Sequence, residues 1–137
     1  MKDNNIKIFV SVIIILVLGI IATIIIQSKS ASISSKEPGK YDTFAKCIKD
    51  SGAIFYGAFW CPHCQAQKKL FGSSAKLLPY VECSTPDASK QTQVCIEKKI
   101  SSYPTWKLAD GSQIPNENGA GITLETLAKK TSCILPK

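Results

Sequence analysis

Gly57-Ala58-Phe59-Trp60-Cys61-Pro62-His63-Cys64-Gln65 is the stretch from which the rest of the chain is read. An apolar, aromatic run from Ala53 to Trp60 leads into it. A polar, lysine-bearing segment from Gln65 to Lys69 leads out and stops at Gly72. The lead-in is short, continuous and rich in aromatics, which predicts a buried central strand. The segment after it is predicted as a helix with Pro62 at its first position and Gly72 just past its end, because Pro suits a helix start and Gly a helix stop. Cys61 therefore falls at the strand-to-helix turn, at or near the N-cap.

That placement points to a chemistry. A helix N-terminus carries unpaired N–H groups and a partial positive charge, and both stabilise a thiolate. A free cysteine titrates at ~8.5, whereas cysteines of Cys-X-X-Cys motifs at helix starts titrate at ~3.5–7.5. Cys61 is thus predicted as an exposed nucleophile. Cys64, one turn inward, is the partner that closes or resolves the disulfide. His63, between them, tunes the couple: a protonated imidazole stabilises the reduced form and makes the disulfide more oxidising. No cofactor is needed beyond the Cys61–Cys64 couple itself. A purely structural disulfide is the plainer use of such a pair. A zinc site is the other use, but the customary second pair is missing, and Cys83 and Cys95 stand too far apart in sequence to form a knuckle, so no metal is expected.

The chain has 137 residues, room for one modest domain plus an appendage. Its 17 basic residues, all lysine, outweigh 10 acidic ones for a net charge of +7. They are scattered, without a basic stripe or an arginine cluster, which describes a solvated surface rather than a nucleic-acid interface. There is no phosphate-binding glycine motif and no internal repeat.

Residues 1–7 are short and mildly basic, and Ile8 to Ile26 form an apolar run without an ionisable group. At ~1.5 Å per residue such a helix approaches the ~30 Å hydrocarbon core of a bilayer. The run predicts an uncleaved transmembrane anchor at 8–26. A cleavable signal peptide is the rival, but its apolar core is usually ~7–15 residues long. Residues 1–7 are placed in the cytoplasm and the rest outside it. Six cysteines in so short a chain suit an oxidising compartment. Residues 27–40, rich in Ser and Lys and closing on Pro38-Gly39, are read as a flexible linker. The folded domain spans 41–137.

Within it, Tyr41 to Asp50 is predicted helical, with Phe44, Cys47 and Ile48 on one face. The central strand and the Cys61 helix follow. Leu77 to Cys83 is a second strand, made irregular by Pro79, and Ser84 to Lys90 is a loop. Thr92 to Ile100 is a helix ended by Ser101-Ser102-Tyr103-Pro104-Thr105. Trp106 to Leu108 and Gln113-Ile114 flank the turn signal Asp110-Gly111. Thr123 caps a last helix bearing Leu124, Leu127 and Ala128. This order predicts an α/β fold, a four-stranded mixed sheet flanked by helices.

From about Tyr41 onward the chain resembles a thioredoxin-fold domain. The redox pair opens a helix after a central strand, and Tyr103-Pro104-Thr105 resembles the cis-proline loop of that fold. The resemblance is closer to the thioredoxin-like domains that accompany bacterial and plant homologues of vitamin K epoxide reductase. It is carried by Phe55 to Cys64, Tyr80-Val81-Glu82-Cys83 and Ser102-Tyr103-Pro104-Thr105-Trp106. The Cys-Pro-His-Cys tetrad resembles that of DsbA-type periplasmic oxidases. The resemblance implies catalytic roles for Cys61, Pro62, His63 and Cys64, and substrate contact at Tyr103 and Pro104; Trp60 and Trp106 are read as packing residues flanking the site, with an exposed Trp60 indole also a substrate contact. The resemblance also implies a disulfide between Cys83 and Cys95.

Cys47 and Cys133 then remain. They can pair, but the first and last helices of this fold usually cover opposite sheet faces, which argues against that bridge unless the tail wraps an edge. One departure stands out: the buried acid of the thioredoxin and DsbA-type pattern, six residues before the first cysteine, is here Phe55. Any proton shuttle for Cys64 must come from elsewhere, with water and Glu82 as candidates.

The function implied is an anchored, extracytoplasmic thiol–disulfide oxidoreductase. It acts on exported thiol-containing proteins and is reoxidised by a separate quinone-linked membrane partner of the vitamin K epoxide reductase type. Two alternatives stay open: a membrane-tethered reductant or isomerase, and a non-catalytic anchored binding module whose cysteines are structural.

Overall fold

The computed structural model describes residues 10, 12–20, 38–116 and 119–137. Residues 12–20 are helical. The rest of the 8–26 anchor, the 1–7 terminus and the linker up to residue 37 lie outside the described residues, except Val10. Among the described residues no helix is long and apolar enough to cross a membrane.

Residues 38–137 form one unit. Helix α1, Asp42–Asp50, buries Phe44, Ala45 and Ile48, with Asp42 in its first turn and Lys49 in its last, each at the end its charge favours. Strand β1, Ile54–Gly57, is followed by helix α2, Pro62–Leu70, and by a 3₁₀ helix, Gly72–Leu77. Then come β2, Tyr80–Glu82, and the short α3, Gln93–Glu97. Strands β3, Thr105–Lys107, and β4, Gln113–Ile114, precede α4, Leu124–Thr131. The Thr123 hydroxyl caps α4 by accepting from the Thr126 N–H at 3.2 Å.

The sheet runs β2-β1-β3-β4, with β1 parallel to β2 and antiparallel to β3, and β3 antiparallel to β4. Alternation along β1 sends Phe55 to one face and Ile54 and Tyr56 to the other. Phe55 lies opposite Trp106 in the register, and their rings stack at 4.9 Å. This pair is the floor of the main core, over which Phe44, Ile48, Cys64, Phe71 and Leu127 pack. The other face holds a smaller cluster of Tyr56, Cys83, Cys95 and Ile100 under α3.

Several boundaries differ from the sequence reading. The central strand stops at Gly57, not Trp60, because the chain turns there and the Cys61 N–H donates to the Ala58 carbonyl at 3.0 Å. Leu77 belongs to the 3₁₀ helix, which the Gly-Ser-rich sequence does not announce, and β2 starts only after Pro79, which has no N–H to give to a ladder. Helix α3 contracts to five residues. Lys99 takes a positive φ of 54° and the Ile100 N–H closes back on the Cys95 carbonyl at 2.9 Å.

The placement of the first and last helices is also corrected. Both α1 and α4 pack on the Phe55–Trp106 face and touch each other, and Cys47 is bonded to Cys133. The short α3 takes the opposite face, so the longer apolar helices share one side. Ser132, in the left-handed region at φ 58°, turns the chain after α4 so that Cys133 meets α1.

Candidate active site

Two of the six cysteines, Cys61 and Cys64, are free thiols, and Cys83 is bonded to Cys95. Cys61 is the N-cap of α2, in extended conformation, and Pro62 is that helix's first residue. The Cys61 Sγ accepts from the Cys64 backbone N–H at 3.3 Å. An orphan donor of the first turn and the positive end of the helix dipole are therefore both directed at this sulfur. His63 and Pro62 are exposed in the same turn.

Cys61 is not the exposed residue expected from the sequence. Only 5% of its surface is open, because the loop before β3 lies against it, with the Tyr103 carbonyl oxygen 3.8 Å from Sγ. The Tyr103–Pro104 bond in that loop is cis, and Pro104 is fully buried. Beside Cys61, the edge residues Phe59 and Trp60 stay 46% and 53% exposed.

The surroundings hold this edge in place. Trp60 Nε1 donates to Ser84 Oγ at 2.8 Å, and its ring meets Tyr103 edge-on at 6.1 Å. The Tyr103 hydroxyl accepts from Gln91 Nε2 at 2.7 Å and donates to the Cys83 carbonyl at 3.5 Å. The Cys83–Cys95 bridge thus anchors the side of a groove of about 270 Å³ lined by Trp60, Ser84, Lys90, Gln91 and Tyr103. Trp106 is fully buried core, away from this groove.

Cys64 is wholly buried. Burial pushes its thiol up to about 12, and a hydrogen bond to Cys61 adds to the shift, while the Ala58 backbone and, to a lesser extent, the Lys68 ammonium oppose it. At mildly acidic pH, far below that value, Cys64 holds its proton. Iodoacetamide added to the reduced protein at mildly acidic pH is therefore expected to modify Cys61 first and Cys64 many-fold more slowly. Peptide mapping of the alkylated chain checks this, and equal labelling would contradict the assignment.

Gly57 makes the packing possible. A Cβ there would stand 2.9 Å from both Cys64 Sγ and the Tyr80 ring. Around this contact the structure gathers Tyr80 and Lys68, which local sequence patterns pass over, together with Glu82, the shuttle candidate of the sequence reading. Glu82 Oε1 accepts from the N–H groups of Phe59 and Ser84 at 3.1 and 3.0 Å, and its Oε2 accepts from the Tyr80 hydroxyl at 2.7 Å. Lys68 Nζ lies 3.4 Å from the Tyr80 ring centroid. The available signal was the period-two spacing of Tyr80 and Glu82 on a strand beside the motif. Among the described residues no cluster of three or more His, Cys, Asp or Glu side chains is arranged to hold a metal.

The chain is similar to a protein of Arabidopsis thaliana named thiol-disulfide oxidoreductase LTO1, with 42% identity over 82 residues. The alignment covers 57% of this chain and 22% of that protein's length. The thioredoxin family model matches residues 35–132, a span that holds both thiols, the cis-proline loop and every strand of the sheet, and the chain belongs to that family.

Proposed function

We propose that this protein is a membrane-anchored, extracytoplasmic thiol–disulfide oxidoreductase that oxidises exported proteins through the Cys61–Cys64 couple. The observation that carries the reading is the asymmetry of the pair. One sulfur sits at a helix start and receives a backbone N–H, and the other is a fully buried thiol one turn away. Such a pair attacks a disulfide, or holds one for a substrate thiol, with the outer sulfur and resolves the mixed disulfide with the inner one. The relative named a thiol-disulfide oxidoreductase supports the same chemistry. Pro62 presets the first helical turn, and Tyr103 and Trp60 border the approach to Cys61 and serve as substrate contacts, while the fully buried Pro104 shapes the loop that carries Tyr103. The apolar run from Ile8 to Ile26 supports the anchor. The resemblance to domains that accompany vitamin K epoxide reductase homologues supports reoxidation by a separate quinone-linked membrane partner.

The oxidase direction rests on His63. A protonated imidazole in the first turn of α2 stabilises the reduced pair and raises the potential. The deciding experiment is the equilibrium potential of the Cys61–Cys64 couple against glutathione, together with oxidative refolding of a reduced substrate. A value well above the ~−270 mV of thioredoxin and toward the ~−120 mV of DsbA is expected. His63→Ala is expected to lower it by tens of millivolts. A potential near that of thioredoxin would instead favour a tethered reductant, and the absence of turnover in either direction would leave a binding module.

A further inference from the structure

Phe55 occupies the position of the buried acid in the family pattern and is completely buried between the rings of Tyr80 and Trp106. Tyr56 packs on the opposite sheet face. Strand β1 thus offers Cys64 no titratable side chain. Charge reaches this corner from two other elements. Lys68, half-buried and one turn beyond Cys64 on α2, seats its ammonium over the Tyr80 ring, well inside the ~6 Å reach of a cation–π contact. Tyr80 is fixed in turn by its hydroxyl bond to Glu82, and Glu82 by two backbone N–H groups. The vacancy above Gly57 lets the ring lie against Cys64.

We propose that Lys68 is a positioning residue for disulfide closure: held on the Tyr80 ring, which Glu82 anchors, its ammonium supplies the positive charge that the Cys64 sulfur needs as it gives up its proton. The inference rests on the oxidoreductase reading and deepens it. The other groups at Cys64 are the Cys61 sulfur, the Ala58 backbone and the Tyr80 ring, with Glu82 one hydrogen bond further off on Tyr80, whereas α1 and α4 bring the apolar Phe44, Ile48 and Leu127 to the same core. Lys68 is thus the cation placed to offset the loss of hydration at that sulfur, and partial burial strengthens its effect. Its direction of action on Cys64 agrees with this geometry.

The Cys61 thiolate attacks a disulfide R–S–S–R of the reoxidising partner or of a test reagent, forms Cys61–S–S–R and expels one RS⁻. Cys64 S–H gives its proton to water or buffer. The electron pair left on that sulfur forms the Cys64–Cys61 bond, and the bond from Cys61 to SR breaks and expels a second RS⁻. The protein dithiol is oxidised, and the attacked disulfide is reduced to two thiolates.

The test mixes the reduced full chain with dithiobis(nitrobenzoate) in a stopped-flow cell. The two coloured thiolates leave in successive phases, the first reporting attack by Cys61 and the second closure by Cys64. In Lys68→Met the second phase is expected to slow about tenfold at neutral pH, with its pH profile moved up by about one unit. Lys68→Arg is expected to restore most of the rate. Tyr80→Phe, which keeps the ring but frees it from Glu82, is expected to slow the second phase by about threefold. A wild-type second phase in Lys68→Met, or a slower one whose pH profile has not moved, overturns the proposal. No coloured phase in the unaltered protein would overturn the oxidoreductase reading itself, which separates the two failures.

Discussion

Cys61→Ser is expected to abolish oxidation of reduced substrates, a loss on the order of a thousandfold or more, as removal of an attacking group does in other covalent mechanisms. A serine hydroxyl stays protonated at neutral pH and forms no disulfide, so the N–H that Cys64 donates at 3.3 Å would have no thiolate to stabilise. Cys64 cannot replace it, because that residue is wholly buried and its thiol is pushed up to about 12. Cys64→Ser should behave differently. Cys61 keeps its place at the helix start and still attacks a disulfide, but nothing resolves the product. A mixed disulfide with the substrate should accumulate, visible on a non-reducing gel and absent in Cys61→Ser. The same trapped species in both variants would mean that the roles of the two sulfurs are wrongly assigned.

The second large effect concerns stability. Cys47 and Cys133 close a loop with a sequence separation of 86, against 12 for Cys83 and Cys95. On the chain-entropy model the longer loop is worth about 4.5 kcal/mol and the shorter about 3. A domain of this size has roughly 5–15 kcal/mol in all. Cys47→Ser with Cys133→Ser is therefore expected to remove a third or more of the stability and to lower the melting temperature by roughly 20 °C. Changing both residues avoids leaving a lone thiol. Thermal unfolding of the double variant, beside the Cys83→Ser/Cys95→Ser chain, checks the ranking. A smaller loss from the 47–133 pair would mean that the packing of α1 on α4 holds the chain ends without help from the bridge.

Much of the site is legible in the amino-acid sequence. The aromatic run into Trp60, Pro62 behind Cys61 and Gly72 beyond the helix are local signals, and each acts within a few residues. They place the first cysteine at the N-cap because capping and helix-start preferences are properties of the adjoining backbone. Alternation along β1 likewise separates Phe55 from Tyr56 without reference to the rest of the fold. Boundaries were less legible. Lys99 ends α3 through a positive φ that no glycine announced, and the 3₁₀ helix at Gly72–Leu77 hides in a sequence that reads as loop.

The order of elements, the redox pair at a helix start and the proline loop ahead of β3 were thus determined by the sequence by itself, since neighbouring residues dictate them. Only the tertiary structure decided that Cys61 keeps just 5% of its surface, that Cys47 meets Cys133, and that Lys68, Tyr80 and Glu82 gather beside Cys64. Those outcomes join segments distant along the chain. They depend on which sheet face each helix covers, and that choice is made by packing the whole apolar set at once, beyond the reach of any local pattern.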